Sequence, residues 1–410
     1  MEKNNTIIVG MDVHKETISV AVLAPGKDRV DAFKIQNTPK EIEKMVKKVS
    51  GLGEIQIALK KEEALHFVYE AGPCGYVIAR QLKDLGYACS VIAPGLIPVR
   101  PTDRVKTDRR DAEKLARLFR ADELTAIRIP EGAEEAARDL VRAREDALTD
   151  QTRDRNRLTQ FLLRQGRVYT DNTVLWGTKH WAWLKAQKFE FKALQQAFDA
   201  AYRAVEETSE RLKDLSTQVE ELAQNPAYKT PVSYLRCFKG INTLAAVTLM
   251  VEVQEFRRFH KAPSFMDFTG LTSSEYSSGG KKRQGGISKS GNTHLRRILV
   301  ECSWSQRYPA KPSKAIKDRR EGCPQEVIHL AQRAERRLNQ IPEAFGERQA
   351  PRQDHLRGGP GTGRIRVGDG PPLSGIPYRI ILKRTERKRI FTVPKTNESG
   401  FSKRRSTSPT

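Results

Sequence analysis

The chain has 410 residues, and 73 Lys+Arg against 50 Asp+Glu leave a formal net charge of +23. That length holds two or three domains with sizeable cores, and the excess of positive charge selects polyanion partners, nucleic acid above all. The longest low-charge apolar stretch, residues 241–253, falls far short of the ~18 residues of a membrane span, and the first residues lack the pattern of a signal peptide, so membrane and secreted classes are set aside.

Residues 7–10, 17–23 and 29–35 are short β-rich runs parted by turn residues at His14-Lys15 and Pro25-Gly26. Residues 39–49 have helical spacing, with Ile42, Met45, Val46 and Val49 on one side. An apolar run at 66–69, a helix near 76–85, a strand at 88–92 and a charged helix at about 107–119 follow. Three strands, helix, strand, helix, strand, helix is the order of an RNase H-like domain. Residues 131–224 read as helix, and from Leu194 through Phe198, Ala201, Val205, Thr208, Leu212, Leu215 and Val219 to Leu222 apolar positions step by four and three. This seam predicts either an intramolecular hairpin against Leu140, Leu148, Leu158 and Leu162 or a dimer contact. Asn225-Pro226 and Thr230-Pro231 are read as ending the helix. Beyond them, residues 235–340 form another unit: a helix at 243–252, a Gly/Ser/Lys-rich stretch at 273–291 expected as a loop, and a helix at 292–306.

Five cysteines, Cys74, Cys89, Cys237, Cys302 and Cys323, form no CxxC and no paired spacing, which fits a reducing cytoplasm better than a disulfide framework or a zinc ribbon. A cytoplasmic location is therefore expected. Residues 351–410 hold 14 Lys+Arg and 4 Asp+Glu in a Gly-, Pro- and Ser-rich segment without periodicity, which sets this tail apart.

Four acids stand in special places within this basic chain. Asp12 closes the first strand, Glu70 the fourth, and Asp108 and Asp111 sit three apart near a helix start, their side chains about 5–6 Å apart on one face. If the strand order holds, all four converge at one sheet edge, where they would repel one another unless divalent cations occupied the cluster. Two such cations about 4 Å apart would stabilise the oxygens of a phosphoryl transfer. The plainer alternatives are a turn residue at Asp12 and a helix-dipole acid at Asp108. An actin-like ATPase also opens with a Gly-x-Asp strand end, but no later phosphate-binding Gly loop supports it. Asp103 lies outside the helical pair.

Basic residues crowd the second half: Lys281, Lys282, Arg283 and Lys289, then His294, Arg296 and Arg297 on the next helix. They suit phosphate contact, with a solvated basic face as the bland alternative. Lys239-Gly240-Ile241-Asn242 before a helix resembles a helix-hairpin-helix turn, whose backbone N–H groups bind phosphate.

The runs VGMDVHKETISVAV, FVYEAGPCGYVIARQL and VKTDRRDAEKLARL resemble the three blocks of the RuvC-like DEDD domain in IS110-family transposases of the IS1111 type. FKGINTLAAVTLMVEVQEFRRF and FTGLTSSEYSSGGKKRQGGISKSGNTHLRRILVECSW resemble that family's C-terminal transposase domain. The resemblance implies a RuvC-like DEDD nuclease domain at 1–128, a helical coiled-coil region at 129–228 and a mainly α transposase domain with a serine loop at 229–340. It also implies that Asp12, Glu70, Asp108 and Asp111 hold Mg²⁺. A serine before a glycine, Ser278 with Ser277 as the alternative, would attack DNA and form a covalent phosphoserine link. By the same resemblance a structured noncoding bridge RNA pairs with element ends and target DNA, and a homo-oligomer, dimer or tetramer, does the work. Family members continue past residue 340 with a basic and an apolar helix. This chain does not, yet suitable codons for residues 341–370, read one base later, spell such an ending. A frameshift near residue 340 is expected, leaving 341–410 out of frame and disordered and the protein less stable.

Overall fold

The computed structural model describes residues 6–51, 65–98, 107–171, 174–308 and 312–339. The expected out-of-frame tail at 341–410 and Asp103 lie outside them. The chain divides into two compact units at Pro130/Glu131.

The first unit is a five-stranded sheet in the order β3-β2-β1-β4-β5, built from β1 Ile7–Val13, β2 Thr17–Leu23, β3 Val30–Gln36, β4 Leu65–Glu70 and β5 Ala88–Ile92. The first three strands form an antiparallel meander, and β4 and β5 extend it in parallel from β1. Both faces are covered. Helix α1 (Pro39–Ser50), entered through the Thr38 cap, buries Ile42, Met45, Val46 and Val49 on one face, as the spacing predicts. Helix α2 (Val77–Asp84) adds Ile78, Ala79 and Leu82 to the same layer. The opposite face receives α3 (Asp108–Arg120), whose Leu115, Ala116 and Phe119 pack on Ile8, Leu23, Val68 and Ile92. This mixed α/β architecture, with its meander and parallel extension, fits a RuvC-like DEDD domain.

The second unit is mostly helical. Helices α4 (Gly132–Arg164) and α6 (Lys192–Leu222) run antiparallel against one another: Arg144 bonds Ser216, Gln151 bonds Ser209, and Phe161 packs on Phe198. The heptad seam is thus covered within the chain, with Phe198, Val205 and Val219 buried. The helical region read over 131–224 is not a single helix, however. A short helix α5 (Thr178–Lys185) stands between the two long ones, fixed by an aromatic cluster in which His180 accepts from the Trp176 N–H at 3.0 Å and stacks on Trp183. Tertiary packing of aromatics overrides local helix propensity there.

Asn225 caps the next helix, α7 (Pro226–Arg236), so Pro226 starts a helix and Pro231 sits inside it. Helix α8 (Thr243–Val253) is buried nearly all round, as its uninterrupted apolar run requires. Helix α9 (Ala262–Thr269) leads into a hairpin of β6 Ser273–Ser278 and β7 Lys281–Ile287, then come α10 (Thr293–Ser303), α11 (Lys314–Arg320) and α12 (Gln325–Asn339). The hairpin replaces the loop expected at 273–291. All five cysteines are free, and no described helix is long and apolar enough to cross a membrane.

Candidate functional site

Strand alternation decides what meets at the carboxyl edge of the first unit's sheet. Ile7, Val9 and Met11 face α1, so Ile8, Gly10 and Asp12 face α3. Asp12 pairs with Ser19, and Ser19 with Lys34, which sets those three side chains in a row across β1, β2 and β3. Helix α3 starts above this row. Gly10 makes that possible, because a Cβ there would overlap the Ala112 carbonyl oxygen. Thr107 caps the helix through the Arg110 N–H, placing Asp108 and Asp111 in its first turn.

Asp12, His14 and Asp108 bring ligand atoms within 4.8 Å of one another. His14 Nε2 lies 3.2 Å from Asp12 Oδ2 and 3.7 Å from Asp108 Oδ1, and Lys34 Nζ donates to Asp108 Oδ2 at 3.2 Å. Burial pushes the Asp12 carboxyl above its usual range, and the charges of Asp108 and Asp111 add to the rise while His14 opposes it. The hydrogen bond from Lys34 holds Asp108 below its usual range. Glu70 ends β4 one residue beyond the Met11–Tyr69 pair and is exposed; its carboxylate is outside the Asp12–His14–Asp108 group. A cleft of about 540 Å³ adjoins the group, lined by Ser19, Phe33, Lys34, Thr107, Asp108 and Arg109 among others.

The donor set suits a hard divalent cation. Mutually repelling carboxylates, one of them half-buried and already short of compensating charge, gain from a cation of high charge and oxygen preference. His14 and Lys34 were not singled out by sequence. His14 follows a strand and Lys34 sits in an ordinary half-exposed one, so only the strand pairing links them to the acids.

In the second unit the two candidate serines lie at the end of β6. Ser278 pairs across the hairpin with Lys281 and Ser277 with Lys282; Gly279 and Gly280 form the two-residue turn with φ of 57° and 80°. Paired residues share a face, so Ser278, Lys281, Tyr276 and Arg283 lie on one side and Ser277, Glu275 and Gln284 on the other. Ser277 donates to the Glu275 carboxylate at 2.5 Å. Lys281, Arg283 and Lys289 are exposed, and the Lys282 side chain lies outside what is described.

The remaining basic candidates have partners within the protein. Lys239 Nζ donates to the Tyr308 carbonyl at 2.7 Å, and Gly240 backs onto the Cys302 carbonyl, where a Cβ would overlap it. Arg296 donates to the Thr269 carbonyl at 3.0 Å. Arg297 bonds Glu145 at 2.5 Å and Glu301 at 2.6 Å, and His294 meets Glu145 at 2.7 Å. A second network was unmarked in the sequence: Arg142 donates through two nitrogens to Glu252, at 2.7 and 2.9 Å, and Asn292, the cap of α10, donates to the same carboxylate at 2.6 Å.

Comparison with known proteins now decides the family. Residues 9–165 match the DEDD family of IS110 transposases, described as "Transposase", and residues 232–317 match the "Transposase IS116/IS110/IS902 family". The chain is 37% identical over 337 residues to the transposase for insertion sequence element IS1533 of Leptospira borgpetersenii, covering 81% of this chain and 94% of that relative. The chain belongs to the IS110 family of transposases. A putative transposase, y4qE, of Sinorhizobium fredii is 36% identical over 332 residues, covering 80% and 79% of the two chains. The transposase for insertion sequence element IS1328 of Yersinia enterocolitica is 24% identical over 229 residues, covering 56% of this chain and 66% of that relative. The DEDD match contains all four acids named above, and the second match contains both serines of the hairpin.

Proposed function

We propose that this transposase moves an insertion element by covalent serine chemistry assisted by a divalent cation. The observation that carries the proposal is the meeting of Asp12 and Asp108 at the carboxyl edge of the sheet in a DEDD-family chain. Asp12, Glu70, Asp108 and Asp111 would hold Mg²⁺, which when bound supplies Lewis-acid stabilisation to phosphoryl oxygens.

Ser278 is the proposed nucleophile. Its Oγ forms a bond to phosphorus, the bond from phosphorus to the leaving strand's oxygen breaks, the serine proton passes to water, and the leaving oxygen takes up a proton. The covalent link conserves the phosphodiester's energy for rejoining. Ser278 is favoured over Ser277 on electrostatic grounds: Lys281 stands opposite Ser278 and attracts a phosphate, whereas the Glu275 carboxylate held by Ser277 repels one.

A bridge RNA encoded by the element is proposed to supply sequence choice by base pairing, with the protein reading RNA shape and backbone. The proposed partners are thus that RNA, element-end and target DNA, and further copies of this chain. The exposed cations of the hairpin, Lys281, Arg283 and Lys289, are proposed phosphate contacts, with Lys282, Lys239, Gly240, Arg296 and Arg297 as further candidates. We also infer a frameshift near residue 340; sequencing the gene around codon 340 tests it, and the lack of any single-base change restoring a helical ending overturns it.

Purified transposase with element-end DNA and candidate bridge RNA should give a covalent protein–DNA product. Ser278→Ala should abolish that product, and Asp12→Ala should abolish all strand cleavage. Cleavage that persists in Ser278→Ala without covalent product assigns a metal-only junction nuclease instead, a reading that the acid cluster supports by itself. Binding without any product from the wild-type chain assigns a non-catalytic remnant.

A further inference from the structure

The hairpin that carries Ser278 presents an aromatic ring on the same face. Tyr276 lies two residues before Ser278 in β6, so both side chains project from one side, about 7 Å apart along the strand. It is 77% exposed, more than Phe191, Tyr308 or Trp304 among the large exposed aromatics. Its cross-strand neighbour is Arg283, also exposed, and Ser278 has Lys281 opposite. A single exposed ring is ordinary on a protein surface, but this one shares its face with Ser278 and with the cations Lys281 and Arg283. The charges on that face fix an occupant's class: two cations flank the ring, and the carboxylate of Glu275 is turned to the other side.

We infer that Tyr276 and Arg283 form a stacking clamp for the DNA nucleobase next to the phosphate that Ser278 attacks, held out of the duplex stack. The inference rests on the assignment of Ser278 as nucleophile. With the base held out of the stack, the ~7 Å from Tyr276 to Ser278 along the strand leaves room for that base on the ring and its flanking phosphodiester at the serine. Arg283 neutralises the adjoining phosphate and lends its planar guanidinium to the stack. Such a clamp grips a base only where pairing is already open, so it favours unpaired over fully paired DNA. DNA is favoured over RNA because the ring shares its face with the residue that cuts DNA.

The test is equilibrium binding of full-length protein to two fluorescent element-end DNAs, one fully paired and one with a short unpaired bubble at the cleavage position. Tyr276→Ala should weaken bubble binding about 10-fold or more while paired-DNA affinity stays within about 2-fold, and Tyr276→Phe should restore bubble binding. Quenching of 2-aminopurine at the flanking base should fall in Tyr276→Ala. Equal affinities of Tyr276→Ala and wild type for the bubble, equal losses on both DNAs, or a tighter grip on single-stranded RNA of the same sequence would each overturn the clamp. Ser278→Ala tests the assignment beneath it separately: covalent product persisting in that variant removes the nucleophile, and the affinities of Tyr276→Ala still report on stacking.

Discussion

Gly10 in β1 and Ala112 in α3 approach so closely that any β-carbon on Gly10 would overlap the Ala112 carbonyl oxygen, with the Ala116 N–H next to it. That contact sets the height of α3 above the sheet and therefore the distance from Asp108 to Asp12. Gly10→Ala should push the helix outward, costing about 1–3 kcal/mol of stability by overpacking. It should also weaken Mn²⁺ binding, because the carboxylates separate. Urea unfolding and titration calorimetry with Mn²⁺ measure both, and a variant unchanged in stability and affinity would refute the coupling.

Lys34 competes with a cation for Asp108. Its ammonium lies 3.2 Å from the carboxylate and keeps it ionised, yet adds positive charge beside the cluster. At neutral pH Asp108 stays ionised without it, so Lys34→Met should tighten Mn²⁺ binding a few-fold, the scale of an exposed, solvent-screened pair. Weaker binding in that variant would instead make Lys34 a support of the site.

Arg142 and Asn292 converge on Glu252, whose side chain is 1% exposed. Removing the guanidinium leaves a buried carboxylate short of its charge partner, so Arg142→Met should cost about 3 kcal/mol. Replacing both Arg142 and Glu252 by methionine should cost less than Arg142→Met alone, since no charge is then stranded. Urea midpoints of wild type, Arg142→Met, Glu252→Met and the double variant decide it; a double variant that loses the sum of the two single losses would show that the pair is not coupled.

The first unit was largely legible because each of its signals is local. A β-rich run bounded by turn residues marked β2, and the spacing of Ile42, Met45, Val46 and Val49 marked α1 and its buried face. The three-residue interval near an expected helix start marked Asp108 and Asp111. His14 and Lys34 were not legible, since their approach to the acids depends on which strands pair. The β6–β7 hairpin escaped because Gly, Ser and Lys are poor strand formers; its Gly279-Gly280 turn is nonetheless a two-residue hairpin signal that could have found it. Arg296 and Arg297 belong to a basic run in the sequence, but only the fold reveals that Thr269 and Glu145 occupy them. Composition reports charge, whereas availability of charge depends on tertiary partners.

Glu145 offers a test that reads on pH. Burial would raise its carboxyl, but hydrogen bonds from His294 and Arg297 outweigh that and push it down to about 2, from an ordinary 4.5. A group whose folded pKa is depressed binds fewer protons in the native state, so its stabilisation is complete above about pH 4.5 and fades as the pH falls toward 2. Glu145→Gln should thus be less stable than wild type at pH 7 by about 1–2 kcal/mol, a figure discounted because His294 and Arg297 reach solvent. The gap should shrink steadily from pH 4.5 downward, as wild type loses its charged carboxylate and the variant has none to lose. Denaturant midpoints of the two proteins at pH 7, 4 and 3 measure it, and a gap that holds constant to pH 3 would mean that packing, not charge, is what Glu145 contributes.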